Sequence, residues 1–386
     1  MPDVRLTVNG LEYRGWTDVR VTRGIEFIAG SFALSVSERW GGQDVAWPIL
    51  EGDECTLTID EEVLITGYVD LRQLSYDADA HRLSVSGRDK AGDLVDCSAV
   101  LKQWEFHNLP LLDVCQRLAE PFGITVTLQA GLDDRAVSTT GKTKSGGSPT
   151  GVGSAGKSSS MTLSQPNARL TINPGDSPYE VIDRACRLVG VLPVSDGQGG
   201  IVLTRAGSGE AATSLVEGEN ILSAEATYDA NRRYRRYIVS GQSGGSDSLF
   251  GEAAAAVKAE ASDLGARAAR VLLVRPDGAV TTAFAKQRAA WESTVRAARS
   301  ASIAAIVQGW TQRDGSLWPI NARVKVLSPR LGVDAELLIT EATYALSLNG
   351  GTTTDLKLVR PDAFVPEPVI VANEGGGLSG LAKLGL

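Results

Sequence analysis

The chain has 386 residues, long enough for two or three domains with cores of their own, and its 43% hydrophobic and 22% charged content is that of a soluble globular protein. Lys and Arg number 38 against 46 Asp and Glu, a net charge of -8, which argues against wrapping nucleic acid by phosphate neutralisation and suits a surface past which DNA slides. Four scattered cysteines without a CxxC pair, and only two histidines, His81 and His107, exclude a structural zinc site and a disulfide framework.

Residues 1–97 alternate as strands do: Val4, Leu6 and Val8, then Val19 and Val21, then Phe32, Leu34 and Val36, then Leu57 and Ile59. Gly41-Gly42, Asp60-Glu61-Glu62 and Asp77-Ala78-Asp79 supply turns, so this stretch reads as a small β-barrel or sandwich, the first β module. No secretion signal opens the chain and no run approaches about 18 apolar residues, so a soluble cytosolic product is expected.

From residue 98 the grammar changes. Asn108-Leu109-Pro110 opens a helix with Leu111, Leu112, Cys115, Leu118 and Ala119 at helical spacing, followed by a strand over 124–128. Ser177-Pro178-Tyr179-Glu180 is a capping box with proline at the first helical position. Val181, Ile182, Ala185, Leu188 and Val189 line the face of that helix, and Gly190 closes it. Residues 191–194 and 201–204 flank Asp196-Gly197-Gln198-Gly199-Gly200 as a hairpin. These units predict a small α+β domain over 98–215, with Cys115 and Cys186 as core residues. It is interrupted by a Gly/Ser-rich tract at 138–160 with little apolar surface to bury.

A second β module is expected over 216–365. Its strands are predicted at 235–239, 302–309, 321–327, 335–345 and 354–360, and a helix at 281–300 presents Phe284, Arg288, Trp291, Val295 and Ala298 on one face. The Ala-rich stretch 253–270 reads as a short helix or a loop. Residues 366–386 form an arm that either packs on a neighbour or frays.

The two modules share a strand-turn-strand grammar. Asp53–Asp60, Val63–Val69 and Arg82–Arg88 are echoed by Asn321–Leu327, Glu336–Tyr344 and Thr354–Val359, each with a Leu-Ile-Thr strand followed by a tyrosine. Duplicated β modules build rings and scaffolds; chance similarity between amphipathic strands is the other reading.

Catalytic patterns are weak. Gly151–Ser158 satisfies G-x-x-x-x-G-K-[ST], but no core strand precedes it and no helical face follows, so it is a compositional match. The acidic pairs Asp53-Glu54, Asp60-Glu61 and Asp133-Asp134 fall in turns, and no Ser-His-Asp or Cys-His set suggests itself. We therefore expect no enzyme, no catalytic residue, no metal and no cofactor. Arg232, Arg233, Arg235 and Arg236 interleave with tyrosines; the acidic balance favours pairing with carboxylates of a neighbouring subunit over a nucleic-acid stripe. Trp16, Trp310 and Trp318 stand at strand ends, as rim packing or as interface anchors. These seven are the candidate subunit-interface residues.

Gly15–Glu26, Ala29–Phe32, Gly67–Asp70, Gly87–Cys97 and Gly309–Trp318 resemble, in the same order, the baseplate hub proteins of phage Mu-like contractile tails, a family related to the base of type VI secretion spikes. The resemblance covers nearly the whole chain and implies a mainly β fold with α+β parts. It also implies two related β-barrel domains, a small α+β domain and peripheral helices, at 108–120, 177–190 and 281–300, on the ring exterior. A homotrimer would then present six similar modules as a pseudo-sixfold ring between a hexameric tail tube and a trimeric central spike, passing DNA through its lumen without specific binding. Baseplate wedge proteins and a tape-measure protein are further implied partners, and the tract 138–160, longer than the family leads one to expect, is open to a wedge, tube or tape-measure contact. Virion location follows, with host cytoplasm during assembly; a tail-tip peptidoglycan hydrolase or a carbohydrate-binding adhesin are the alternatives.

Overall fold

The computed structural model describes residues 2–37, 48–76, 81–102, 104–107, 109–130, 132, 169–241, 257–276 and 280–368. The tract 138–160, the Gly151–Ser158 match, Asp133-Asp134 and the arm beyond Pro368 lie outside them.

The first run consists of β1 (Val4–Val8), β2 (Leu11–Tyr13), β3 (Asp18–Gly24), β4 (Ser31–Ser37), β5 (Glu54–Ile59), β6 (Glu62–Tyr76) and β7 (His81–Asp89). The alternation read from the sequence is the burial observed: Val4, Leu6, Val8, Val19, Val21, Phe32, Leu34, Val36, Leu57 and Ile59 all face the core. Antiparallel pairing orders the run β2-β1-β5-β6-β7-β4-β3. Two glycines permit its tightest approach. A Cβ on Gly67 would lie 1.8 Å from the Arg88 carbonyl oxygen, and one on Gly87 would lie 2.1 Å from that of Tyr68.

A short turn of helix, α1 (Asp93–Asp96), leads into the middle part: β8 (Glu105–His107), α2 (Leu111–Ala119), β9 (Val126–Leu128), β10 (Arg169–Thr171), α3 (Pro178–Val189), β11 (Leu192–Ser195) and β12 (Ile201–Thr204). The capping box of α3 is formed: Glu180 N–H donates to Ser177 Oγ at 3.2 Å, Ser177 N–H donates to Glu180 Oε2 at 2.8 Å, and Gly190 ends the helix at φ 70°. Cys115 of α2 and Cys186 of α3 meet in a separate core; their mutual hydrogen bond and burial push the Cys186 thiol up.

The strands β13 (Gly209–Glu210) and β14 (Leu215–Val216) join the second module's sheet, parallel to β20 (Ala322–Ser328). That module further holds β15 (Ile221–Tyr228), β19 (Ala301–Gln308), β21 (Val333–Ser347) and β22 (Gly351–Val359), in the order β15-β19-β22-β21-β20. Between β15 and β19 sits an insertion: β16 (Arg236–Gly241), β17 (Val257–Ser262) and β18 (Val271–Val274) form a small sheet under α4 (Thr282–Arg299). Within the described part of the Ala-rich segment, residues 257–262 are the strand β17, because pairing with β16 outweighs the helix preference of alanine, and residues 263–270 are a loop, one of the two readings of the sequence. In α4 the buried face is Ala285, Ala289, Glu292, Val295 and Ala298. Arg288 and Trp291, expected on that face, turn instead to the C-terminal segment: Trp291 Nε1 donates to the Val365 carbonyl at 2.8 Å and Arg288 pairs with Glu367.

The expectation of two separate closed barrels gives way to a single sheet. β3 pairs antiparallel with β21, Thr22 opposite Thr343 and Val21 opposite Tyr344, so both runs form one 14-stranded sheet over a shared core. Among the described residues no strand pair closes either run, and the path ends at β2 and β15.

Candidate assembly interface

The two runs repeat one topology. In chain order β3, β4, β5, β6 and β7 correspond to β15, β19, β20, β21 and β22, and their spatial orders, β5-β6-β7-β4-β3 and β20-β21-β22-β19-β15, are the same. β6 and β21 are both 15 residues long, and each carries one irregularity against the following strand, at Asp70 and at Thr340. The Leu-Ile-Thr echo is looser than this. Leu64-Ile65-Thr66 ends four residues before the irregularity of its strand, whereas Leu338-Ile339-Thr340 runs into it. What repeats is strand order and length, not the register of that tripeptide.

The junction of the modules is tight. Thr22 and Thr343 hydroxyls lie 2.9 Å apart, Ile25 N–H donates to the Thr340 carbonyl at 2.9 Å, and Lys357 Nζ reaches Glu26 at 2.7 Å. A second polar junction joins the middle part to the first module. The buried Asp89 carboxylate accepts from Ser195 Oγ at 2.7 Å and from Ala91 N–H at 2.9 Å; burial nevertheless pushes its pKa above the ordinary aspartate value. A third uses Asn321, at φ 58°, whose side chain bonds Gly207 N–H, the Arg205 carbonyl and Ser208 Oγ. From the sequence Asn321 reads only as the start of a strand; the tolerance of asparagine for positive φ is the available signal for this role.

The structure gathers few of the candidate interface residues at the surface. Trp16, Trp310 and Trp318 are buried in the chain's own core. Trp16 Nε1 donates to the Tyr13 carbonyl at 3.2 Å and Trp310 Nε1 to that of Ala345 at 3.0 Å; Tyr344 OH donates to the Trp318 carbonyl at 2.6 Å. They lock strand ends by packing, the rim reading of the sequence. The arginines divide. Arg233 grips Asp263 with both nitrogens of its fork, holding that carboxylate below its ordinary value. Arg236 forks onto Glu260 at 2.5 and 2.9 Å, and Arg235 donates to the Leu264 carbonyl at 2.8 Å. The carboxylates expected on a neighbour are thus found on β17 and the loop after it in the same chain. Arg232 is exposed and has no partner among the described residues.

The turn carboxylates serve local structure: Asp60 Oδ1 accepts from Asp3 N–H at 2.9 Å and Asp53 Oδ2 from Leu50 N–H at 2.7 Å. A cleft between α3, α4 and residues 361–367 holds Glu26, Asp183, Asp362 and Glu367. Each of these is engaged by a cation: Lys357, Arg187, Arg360 and Arg288 respectively.

Large apolar side chains are exposed at sheet edges: Leu71, Leu74 and Tyr76 on the outer half of β6, Leu222 and Tyr228 on β15, Val271 and Leu273 on β18. Sequence reading did not select any of them, since alternation alone does not say whether an edge is covered.

Comparison with known proteins agrees with this architecture. Residues 3–89 match the model of the Mu phage baseplate assembly protein GpP-like N-terminal domain, residues 91–149 and 158–205 that of the baseplate hub protein gp44-like second domain, and residues 281–367 that of the GpP fourth domain. The baseplate hub protein gp44 of Escherichia phage Mu is 30% identical over 380 residues, 97% of this chain and 92% of that protein. The 43 kDa tail protein of prophage MuSo2 from Shewanella oneidensis superimposes with a TM-score of 0.76 at 29% identity, covering 94% of this chain and 99% of that one. A tail protein from Neisseria meningitidis MC58 shares the fold, with a TM-score of 0.72 at 23% identity over 95% and 99% of the two chains. With its length matched nearly end to end, this chain belongs to the phage Mu gp44-like family of baseplate hub proteins, structural components of the phage tail.

Proposed function

We propose that the hub is a homotrimeric ring in which three chains contribute six related modules, adapting a hexameric tail tube to a trimeric central spike. The observation that carries this reading is the repeated five-strand order. A chain that presents the same topology twice lets threefold assembly imitate sixfold symmetry. The edges at β2 and β15, unpaired in the sheet among the described residues, are what a closed ring of such chains would cover. Wedge and tape-measure proteins are further partners of this assembly, and the middle part with α2 and α3 stands outside the ring of modules, available to them.

The role proposed is mechanical rather than catalytic. Asp53, Asp60 and the cleft carboxylates Glu26 and Asp183 are tied into turns and ion pairs rather than paired as a hydrolase would require. The net charge of -8 supports a lumen that repels phosphate, so that DNA passes without binding. Light scattering of the purified chain tests the ring: a mass three times that of one chain is expected, and a monomer at every concentration overturns it. Retention of duplex DNA at about 0.15 M salt would overturn the passive lumen.

A further inference from the structure

Two half-edges of the sheet hold equivalent places in the two modules, and one of them already shows what it binds. β21 outruns its neighbour β20 at Ile339, and its remaining half, Glu341 to Leu346, is covered by β3 of the first module. β6 outruns β5 at Tyr68 in the same way, and residues 71–76 have no second strand beside them among the described residues. The strand that occupies in the second module the place of β3 is β15, which beside β19 has only a single bridge, Glu217 to Ile221, so that residues 223–228 have no second strand among the described residues.

We propose that β15 of one copy pairs antiparallel with residues 71–76 of β6 in the next copy, repeating between chains the junction that β3 and β21 make within one. This rests on the trimeric ring reading and says which strands join its subunits.

The register follows from pairings already formed. In the first module Gln73 lies opposite Ser84, Ser84 opposite Ser35, and Ser35 opposite Asp18. In the second, the same lateral row is Thr343, Asp355, Ile306 and Ser223. Asp18 therefore corresponds to Ser223, and the covered pair Thr22–Thr343 corresponds to Thr227 of one chain opposite Gln73 of the next. Tyr344 opposite Val21 becomes Leu74 opposite Ala226, and Leu346 opposite Val19 becomes Tyr76 opposite Ala224.

The side chains suit this alignment. Gln73 and Thr227 are both exposed and able to hydrogen-bond, as the two threonine hydroxyls do inside the chain. Leu74 lies beside the buried Leu83 of β7, on the core side of the sheet, yet is 53% exposed, and Tyr76 on the same side is 84% exposed. Opposite them β15 offers alanines, so the bulky edge meets a small one. Each chain carries one edge of each kind, a head-to-tail contact that closes into a ring when its rotation permits. Uncovered, two such edges would be a standing aggregation hazard.

The test joins Gln73→Cys with Thr227→Cys in a Cys97→Ser background, which removes the exposed native thiol. Mild oxidation is expected to give a ladder of covalent dimer and trimer that collapses on reduction. The offset pair Gln73→Cys with Glu225→Cys should link about tenfold more slowly, because diagonal positions stand outside disulfide reach. Leu74→Asp is expected to leave the folded monomer intact and to weaken self-association about 100-fold. A trimer by light scattering that yields no ladder, links equally at both registers, or tolerates Leu74→Asp overturns this junction and leaves the ring standing. A monomer at every concentration, without a ladder, overturns both.

Discussion

β6 and β21 share length, position and an irregularity at the same point, yet Tyr76 in the outer half of the first is 84% exposed and Tyr344 in the outer half of the second is 3% exposed. The difference lies beyond both strands. β21 has β3 beside it within the same chain, and β6 has no described counterpart. Identical topology thus yields a core in one module and, among the described residues, a half-strand without a second neighbour in the other, and burial reports who the neighbour is rather than what the strand is.

Truncation separates the two halves most sharply. Tyr344→Ala removes a ring packed edge-on against Trp310 and a hydrogen bond to the Trp318 carbonyl, and should cost about 3–5 kcal/mol. Leu74→Ala, in the outer half of β6, should stay within about 0.5 kcal/mol in the isolated chain. Denaturant unfolding of the two variants reads both, and equal losses would break the comparison. A smaller effect is expected at Gly67, where β6 approaches β7 too closely for any side chain. Gly67→Ala should cost about 2–3 kcal/mol, seen as a lowered unfolding midpoint with an unchanged slope.

At the internal junction, a double-mutant cycle of Thr22→Val and Thr343→Val should return a coupling of about 1 kcal/mol in the isolated chain. The corresponding cycle at Gln73 and Thr227 should return none until subunits assemble, which sharpens the contrast between an internal and an external edge.

The smallest effect concerns pH. β7 ends in the buried Asp89, whereas β22 ends in Val359 followed by the exposed Arg360. Burial raises the pKa of Asp89 in the folded state, so the fold holds its proton more tightly than the unfolded chain does. Its contribution is therefore most favourable below the ordinary aspartate value and declines as pH rises through the raised one. Asp89→Asn should flatten that part of the stability–pH curve, measured as unfolding midpoints across the acid range, and an unchanged slope would remove Asp89 as its source.

Much of the fold was legible. The capping box at Ser177, the glycine stop at Gly190 and the alternation of Val4 through Ile59 are local signals, and the structure carries each of them. The face of α4 was misread because Ala285 and Ala289 give a faint apolar signal beside Phe284 and Trp291, although only the alanines let the helix lie close on β16 and β17. The tryptophans and arginines were legible as types but not as places. Trp310 and Arg233 have side chains suited to interfaces, and their partners, Ala345 and Asp263, happen to lie in the same chain.

By itself the sequence determined which segments become strands and which helices wherever side-chain period, caps and turn residues act over a few neighbouring positions, the Ala-rich stretch that holds β17 being the exception. It also carried the twofold echo that motivates the ring proposed above. Tertiary structure alone decided that the modules merge into one sheet rather than closing separately. That outcome depends on edges 321 residues apart, brought together at Thr22 and Thr343, where hydrogen bonds and a shared core reward a contact that no local pattern encodes.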